Sequence, residues 1–179
     1  MGFSLPALFV MTLAALGPSG TEAAAAEAPS RTASVGFSYL RHTGDLDSSE
    51  TGLGLWGLYE FHLSPDFRIG LNLAVRSYPG DPHTLQLGYG TVLRHFMFES
   101  KAIRPFVQYG LLVQMTFLED RSGSVTSHDT HLGVGVEGHG LAPGWFLQAG
   151  YNLSWLRFFD TSTRDLGYAS LTVGRSFSW

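Results

Sequence analysis

The chain has 179 residues, of which 44% are hydrophobic and 15% are charged, with a formal net charge of −4 and no cysteine. This length suits a single domain, the lack of cysteine excludes disulfides and thiolate metal sites, and the acidic balance without clustered lysine or arginine argues against a nucleic-acid partner. The charged fraction is well below the roughly 25% of ordinary soluble proteins, yet the body of the chain contains no apolar run of about 18 residues that would predict a membrane-spanning helix.

The first predicted element is a signal peptide over residues 1–26. Its apolar run, Phe3–Leu16, is too short to span a bilayer as a helix, and the following TEAAAAEAPS has the alternating small residues of a cleavage region. It departs from the usual pattern because no Lys or Arg precedes Arg31. We expect cleavage within residues 23–28 and a mature domain over residues 27–179.

From Arg31 onward the hydrophobic pattern has a period of two, which is typical of β-strands with one apolar face. Eight such segments follow one another, each about 9 to 13 residues long, which is close to the length that a tilted strand needs to cross a bilayer. The residues between the apolar positions are small or polar. Each strand is therefore predicted to have one apolar face and one polar face. The apolar positions in chain order are Val35, Phe37, Tyr39; Leu53, Leu55, Gly57, Tyr59, Phe61; Phe67, Ile69, Leu71, Leu73, Val75; Leu85, Leu87, Tyr89, Thr91, Leu93; Val107, Tyr109, Leu111, Val113, Met115, Phe117; Leu132, Val134, Val136; Leu147, Ala149, Tyr151, Leu153, Trp155; Ala169, Leu171, Val173.

The connections between these strands alternate in length. LSPD, ESKAI and LAPG are tight, PGDPHT is short, and RHTGDLDSSE, LEDRSGSVTSHD and RFFDTSTRD are longer and polar. Short turns at one rim and longer loops at the other are typical of outer-membrane barrels, in which the short turns are periplasmic. The pattern predicts an all-β fold, an eight-stranded antiparallel up-and-down transmembrane β-barrel, with both termini on the periplasmic side.

The placement of charge indicates which face is enclosed. None of the apolar-face positions is charged, whereas five charged residues fall on the other face, which otherwise carries mostly Gly, Ser, Gln and Asn; the five are Glu60, Arg68, Arg76, Arg94 and Glu137. A water-facing surface would carry many more charges, so we expect the apolar face to meet lipid and the polar face to line the lumen. Arg175 is the exception, because its parity aims it at lipid, where an arginine close to the strand end costs little.

Four of these charges form a predicted lumen cluster near the short-turn ends of their strands: Glu60, Arg68, Arg94 and Glu137. Buried charges are tolerated when they are paired and hydrogen-bonded. An eight-stranded barrel is just wide enough for side chains to fill it, which favours a cluster that fills and rigidifies the lumen. The alternative is a gate or a narrow path for ions.

The segments RPFVQYGLL, THLGVGVEGHGLAPGWFLQAGYNLSWLRF and the closing LTVGRSFSW resemble the small eight-stranded outer-membrane β-barrels of Gram-negative bacteria, the OmpA-like transmembrane domain and its relatives. In that family the last strand carries a recognition signal, polar-x-Gly-x-x-aromatic-x-aromatic, which the barrel-assembly machinery reads. Thr172, Gly174, Phe177 and Trp179 occupy those places here. The resemblance implies a bacterial outer-membrane location with loops at the cell surface, and outer-membrane lipid, lipopolysaccharide, the assembly machinery and an unidentified extracellular partner as contacts.

Two motifs suggest other ligands. GLGLWG has the spacing Gly52, Gly54, Gly57 of a nucleotide-binding loop, but that loop needs a helix after it, and these glycines lie within a period-two strand. SHDTH contains His128, Asp129 and His131 at the third loop, which is weak evidence for a metal site. The first loop has carboxylates that could hold a hard cation, but it lacks the glycine and the final glutamate of a calcium loop; these carboxylates are Asp45, Asp47 and Glu50. We therefore expect no cofactor and no metal.

An enzyme is the remaining possibility. Some small outer-membrane barrels modify lipid A, and the deacylases among them resemble this layout but carry a His-x-Ser-Asn run on a late strand. The comparable stretch here, YNLSWLRF, has Asn152 and Ser154 and no histidine, so the nucleophile has no evident base. The expected function is therefore a non-enzymatic, structural or surface-interaction role with a side-chain-filled lumen. A narrow pore for ions or small solutes is the first alternative, and a lipid A-modifying enzyme is the second.

Overall fold

The computed structural model describes most of the chain from Arg31 to the C-terminus. The described ranges are residues 31–43, 51–79, 83–97, 102–119, 124–138, 143–156 and 167–179. They contain eight strands, β1 (Arg31–His42), β2 (Thr51–His62), β3 (Phe67–Tyr78), β4 (Thr84–Phe96), β5 (Ile103–Leu118), β6 (Ser124–Gly138), β7 (Trp145–Leu156) and β8 (Tyr168–Ser178). The described parts include no helix that is long and apolar enough to span a membrane.

The eight strands form a closed barrel in which every strand pairs antiparallel with its neighbours in sequence, and β8 pairs with β1. This confirms the predicted fold class. Closure leaves no free sheet edge, so the backbone groups of the strands are paired around the whole ring. The β2–β3 turn, residues 63–66, lies at the same end of the barrel as Arg31 and Trp179, and we call this end the short-turn rim. The opposite end is called the long-loop rim.

The hairpin of β5 and β6 is longer than the sequence predicted. β5 has 16 residues and β6 has 15, and Phe117 pairs with Ser124, so that part of the predicted third loop, including SHDTH, belongs to β6. The segment SVTSHD pairs with β5 residue by residue, and the β-branched Val125 and Thr126 favour such an extended backbone. The prediction failed because hydrophilic residues were equated with a loop.

The outward face of the barrel is apolar, as predicted. Leu55 and Leu73 are 65% and 64% exposed, and exposed large hydrophobic residues occur on all eight strands. Aromatic side chains gather at the short-turn rim, where Phe61, Trp145 and Trp179 are exposed. A contiguous apolar belt of this extent is typical of a surface that meets lipid.

The inward face corrects the prediction that it is only small and polar. Large apolar side chains are also buried inside the barrel, and they form three clusters stacked along the lumen: Leu40, Tyr78, Tyr168; Leu58, Val92, Leu112; and Phe96, Phe106, Phe146. Trp56 packs against the last two clusters. Their presence follows from packing, because a small barrel must fill its interior at the density of any protein core.

Two lumen glycines make room for these rings. A Cβ at Gly135 would lie 2.5 Å from Cζ of Phe106, and a Cβ at Gly174 would collide with the ring of Phe146. Both glycines are thus required by close approach. Small residues on one strand and phenylalanine on the next together fill the short-turn half of the lumen.

Candidate functional site

The structure brings the four residues of the predicted lumen cluster together. Arg94 Nη1 lies 3.3 Å from Glu60 Oε2, and Arg68 Nη1 lies 3.3 Å from Glu137 Oε2. The two crossed pairs, Arg68 with Glu60 and Arg94 with Glu137, are each 3.9 Å apart. Arg94 also donates through Nε and Nη2 to Gln108 Oε1, at 3.3 and 3.0 Å. Two acids and two arginines therefore form one electrically balanced network.

All four charged residues are enclosed. The exposed fraction is 0% for Arg94 and 1% for Glu60, and Arg68 and Glu137 are also buried. Charges taken out of water are costly unless they are paired and hydrogen-bonded, which is the case here. Removal of any one member would leave an uncompensated charge inside the barrel.

Aromatic rings surround the arginines of the cluster. The guanidinium carbon of Arg94 lies 4.4 Å from the ring centroid of Phe106, and the rings of Phe146 and Trp56 are 5.7 and 5.8 Å away. Such cation–π contacts strengthen when water is excluded. The sequence contained the signal, since Trp56, Phe106 and Phe146 stand at inward positions of their strands.

A second aromatic contact lies at the short-turn end of the cluster. The ring of Phe96 lies between two guanidinium groups, 4.3 Å from that of Arg68 and 4.4 Å from that of Arg104. Arg104 Nη2 in turn donates to the carbonyl of Pro65 in the β2–β3 turn, at 2.9 Å. Arg104 thereby links β5 to a turn two strands away, and its side chain covers the short-turn end of the lumen.

The middle of the lumen is polar and nearly full. His131 Nδ1 donates to Asn152 Oδ1 at 2.5 Å, and Gln148 Nε2 donates to His131 Nε2 at 3.1 Å. These partners assign the neutral Nδ1–H tautomer to the ring. A cavity of about 20 Å³ lies beside His131, lined by Asn72 and Arg76 among others, and it has room for about one water molecule.

Among the described residues, Arg76 is the arginine that lies in the half of the lumen nearer the long-loop rim. Arg76 Nη1 donates to Gln114 Oε1 at 3.0 Å, and its guanidinium lies 4.6 Å from the ring centroid of Tyr168. Several buried polar atoms around it, including the Tyr168 hydroxyl and both side-chain polar atoms of Gln86, have no hydrogen-bond partner within the described residues. Buried polar atoms are rarely left unpaired, so these atoms are suited to bind ordered water.

Solved structures with the same architecture were found by comparison. The Neisserial surface protein A, NspA, has a TM-score of 0.62 at 13% identity, covering 83% of this chain and 97% of that one. The outer membrane enzyme PagL has a TM-score of 0.59 at 14% identity, covering 80% and 98%. The N-terminal β-barrel domain of Pseudomonas aeruginosa OprF has a TM-score of 0.51 at 17% identity, covering 82% and 97%.

The chain has the fold of the small eight-stranded outer-membrane barrels. The resemblance stated from the sequence is thereby confirmed at the level of fold. No protein-family model and no curated protein sequence matches the chain.

The similarity to PagL bears on whether this chain is an enzyme, because PagL is an outer membrane enzyme with the same barrel fold. The two residues considered for a nucleophilic site, Asn152 and Ser154, lie on the lumen side of β7. Asn152 is buried against His131, and Ser154 Oγ donates to Asp129 Oδ1 at 2.7 Å. Neither side chain faces the apolar belt, which is where the resemblance to deacylases would place the reaction.

The histidines of SHDTH do not converge on a metal. His128 is exposed, while Asp129 and His131 are buried. Asp129 accepts a hydrogen bond from Ser127, and His131 is hydrogen-bonded to Asn152. Among the described residues, no group of three or more His, Asp or Glu side chains is placed to hold a metal ion. The carboxylates Asp45, Asp47 and Glu50 lie outside the described residues. The GLGLWG glycines lie within β2 and have no helix after them, as the sequence indicated.

The four residues of the assembly-signal pattern occupy both faces of β8. Thr172 and Gly174 point inward, and Thr172 Oγ1 shares a hydrogen bond of 2.7 Å with Ser38 Oγ. Phe177 and Trp179 point outward at the short-turn rim, where they are 47% and 63% exposed. Arg175 also points outward, with its guanidinium 5.3 Å from the ring centroid of Phe177. The pattern therefore presents two aromatic side chains beside one cation on the outside of the barrel.

Proposed function

We propose that this chain is an outer-membrane barrel with a lumen closed by its own side chains, and that it acts through its outer surface and loops in a structural and surface-interaction role. The carrying observation is the enclosed network of Glu60, Arg68, Arg94 and Glu137, packed against phenylalanine rings at the short-turn end. A layer of paired ions and rings obstructs the passage of solutes. The apolar outward belt and the solved outer-membrane barrels of the same fold support the location.

Orientation in the membrane can be tested with single cysteines, because the chain has none of its own. Ser124 begins β6 at the long-loop rim, and Ser64 lies in the turn at the short-turn rim; both are exposed. We expect Ser124→Cys to react with a membrane-impermeant maleimide on intact cells. The matched control Ser64→Cys should react only after the outer membrane is permeabilised. Labelling of Ser64→Cys alone on intact cells would reverse the proposed orientation.

Conductance tests the closed lumen. The wild-type barrel, reconstituted in a planar bilayer, should show no stepwise openings, because the ring and ion layer fills the short-turn half. The pore remains the second candidate, favoured by the polar atoms near the long-loop rim that have no hydrogen-bond partner within the described part of the chain. Stepwise wild-type openings that disappear in Arg94→Ala or Glu137→Ala would favour this pore over the closed barrel.

We further propose that the protein is not an enzyme, since Asn152 and Ser154 are committed to lumen contacts. Mass spectrometry of lipid A from cells with and without the protein should give the same acyl pattern.

For the last strand, we propose that Thr172, Gly174, Phe177 and Trp179 form the signal read by the assembly machinery. The outward position of the two aromatic residues supports this role, because they are accessible from outside the barrel.

A further inference from the structure

The cavity beside His131 lies in the middle of the lumen, between all eight strands. Each strand contributes to its lining, which includes Asn72 of β3 and Gln148 of β7. β3 and β7 are separated by three strands in both directions around the ring, so they form opposite walls of the lumen. A molecule in this cavity can therefore connect two walls that have no strand pairing with each other.

Three side chains form a hydrogen-bonded chain that ends at the cavity. His131 Nδ1 donates to Asn152 Oδ1, and Gln148 Nε2 donates to His131 Nε2, so each group donates to the one before it. Gln148 Oε1 is thereby left as an acceptor, and it has no hydrogen-bond partner within the described residues. Gln148 is 3% exposed, so bulk solvent does not supply that partner. The chain needs one more group that donates a hydrogen bond.

Two other lining residues also have buried polar atoms without a partner. Asn72 Oδ1 and the Tyr168 hydroxyl make no hydrogen bond within the part of the chain that the structure describes, and both residues are buried. The cavity therefore offers two oxygen acceptors, on Asn72 and Gln148, and one hydroxyl, on Tyr168. A water molecule has two O–H donors for the acceptors and a lone pair for the hydroxyl, and buried waters make about three hydrogen bonds.

The lining disfavours ions. The two oxygen acceptors would face an anion with their lone pairs. Arg76 lines the same cavity and no Asp or Glu is among the described lining residues, so a metal cation would meet a guanidinium and no carboxylate. The volume of about 20 Å³ limits the occupant to about one water-sized molecule. The occupant that fits is a small, neutral hydrogen-bond donor.

We infer that one water molecule is bound in this cavity as part of the barrel, where it donates to Asn72 Oδ1 and Gln148 Oε1 and bridges opposite walls of the lumen. Without it both oxygens would be buried and unpaired, which is costly in an interior closed to solvent. Leu40 and Val92, from two different apolar clusters, also line the cavity and slow the exchange of this water. The inference rests on the proposed closed lumen, because a conducting pore would hold freely exchanging water.

The test is solution NMR of the barrel refolded in detergent micelles, which measures cross-relaxation from water to the buried methyl groups of Val92 and Leu112 in the cavity lining. Wild type should show these cross-peaks with NOE and ROE of opposite sign, which indicates a bound water. Ala74→Val fills the cavity from β3 and should abolish them. The matched control Thr84→Val, which is buried in β4 outside the cavity lining, should retain them.

A second measurement tests the bridge between the walls. Asn72→Leu and Gln148→Leu each remove one acceptor, and stability is followed by unfolding in urea. A shared water predicts that the double variant loses less stability than the sum of the two single losses, whereas independent sites on opposite walls give additive losses.

A closed wild-type barrel without the methyl cross-peaks would overturn the bound water and leave the proposed function intact. Cross-peaks that persist in Ala74→Val would overturn its location, additive losses would overturn the bridge, and cross-peaks that weaken when chloride replaces sulfate in the buffer would assign the cavity to an anion. Heat-modifiable gel migration checks folding, and Asn72→Leu provides a second filling if Ala74→Val does not fold. Stepwise conductance of the wild type would instead contradict the proposed closed lumen.

Discussion

The buried ion pair between Arg94 and Glu60 should show strong energetic coupling. Arg94→Met removes the charge and retains much of the volume, but it leaves Glu60 at 1% exposure without its nearest cation and Gln108 without its two donors. Glu60→Leu leaves Arg94 with Glu137, at 3.9 Å, as its remaining acidic partner. Loss of one partner of a buried pair costs about 3–5 kcal/mol, and we expect each single substitution to lie in this range.

The double variant Glu60→Leu/Arg94→Met should be more stable than either single variant. It removes both charges together, and the Arg68–Glu137 pair at 3.3 Å stays balanced. Leucine and methionine can pack against Phe106 and Trp56, which already surround this position. Replacement of a buried ion pair by apolar residues of similar volume is often neutral, so we expect the double variant within about 1 kcal/mol of wild type. Two single costs of at least about 3 kcal/mol each, less about 1 kcal/mol for the double variant, give a coupling free energy of at least about 5 kcal/mol.

The assay is equilibrium unfolding in urea of the barrel refolded into lipid vesicles, followed by tryptophan fluorescence and by the heat-modifiable fraction on gels. The wild type, the two single variants and the double variant must have the same slope of unfolding free energy against urea concentration for their stabilities to be compared. Arg175→Met is the matched control, because Arg175 is exposed at the rim, where an arginine contributes only about 0–1 kcal/mol. A double variant at least as destabilised as the sum of the two single variants would refute the argument that the charges stabilise one another.

Two further predictions concern the lumen and the last strand. Gly135→Ala should destabilise the barrel by about 1–3 kcal/mol in the same unfolding assay, because its Cβ would lie 2.5 Å from Phe106, whereas the control Gly57→Ala, with its nearest atom at 3.8 Å, should change stability by less than about 0.5 kcal/mol. Equal effects of the two would contradict the close-approach argument. Trp179→Ala should lower the amount of assembled barrel in cells severalfold while its refolding into vesicles is little changed, as measured by heat-modifiable migration; Leu55→Ala, exposed on the belt, is the control. A loss equal to that of Leu55→Ala would contradict a signalling role for Trp179.

The period-two pattern was sufficient to predict the fold and the charge cluster. Residue parity alone placed Glu60, Arg68, Arg94 and Glu137 on one face, and closure of eight strands then required them to meet. The aromatic layer was missed although the same alternation marks it, because Phe106 lies at the inward parity of β5 between Arg104 and Gln108. The prediction assigned polarity to a whole face, although the lumen also has to be filled.

The register between neighbouring strands could not be predicted from the sequence, for a different reason. Ala169 lies between Tyr151 of β7 and Arg41 of β1 because of the way β8 pairs with both neighbours. Register between strands is set by turns and by facing side chains, and a single strand does not reveal it. The spacing of Thr172, Gly174, Phe177 and Trp179 could be recognised because it lies within one strand, and its role as an assembly signal stays a prediction.

The charge cluster lies near a rim, and this position limits its contribution to the choice of strand register. A slip of one residue would turn inward side chains toward lipid, but near a rim an arginine in lipid costs only about 0–1 kcal/mol. Arg94 and Glu60 are each two residues from the end of their strands, so they add little to the choice of register. Polar residues nearer mid-strand, such as Asn72 and His131, oppose a slip more strongly, because unpaired polar groups are costly in the hydrocarbon layer. The stabilisation from the cluster must therefore come from within the lumen, through ion pairing and the packing of Phe106 against Arg94, and this is the quantity that the double-variant cycle measures.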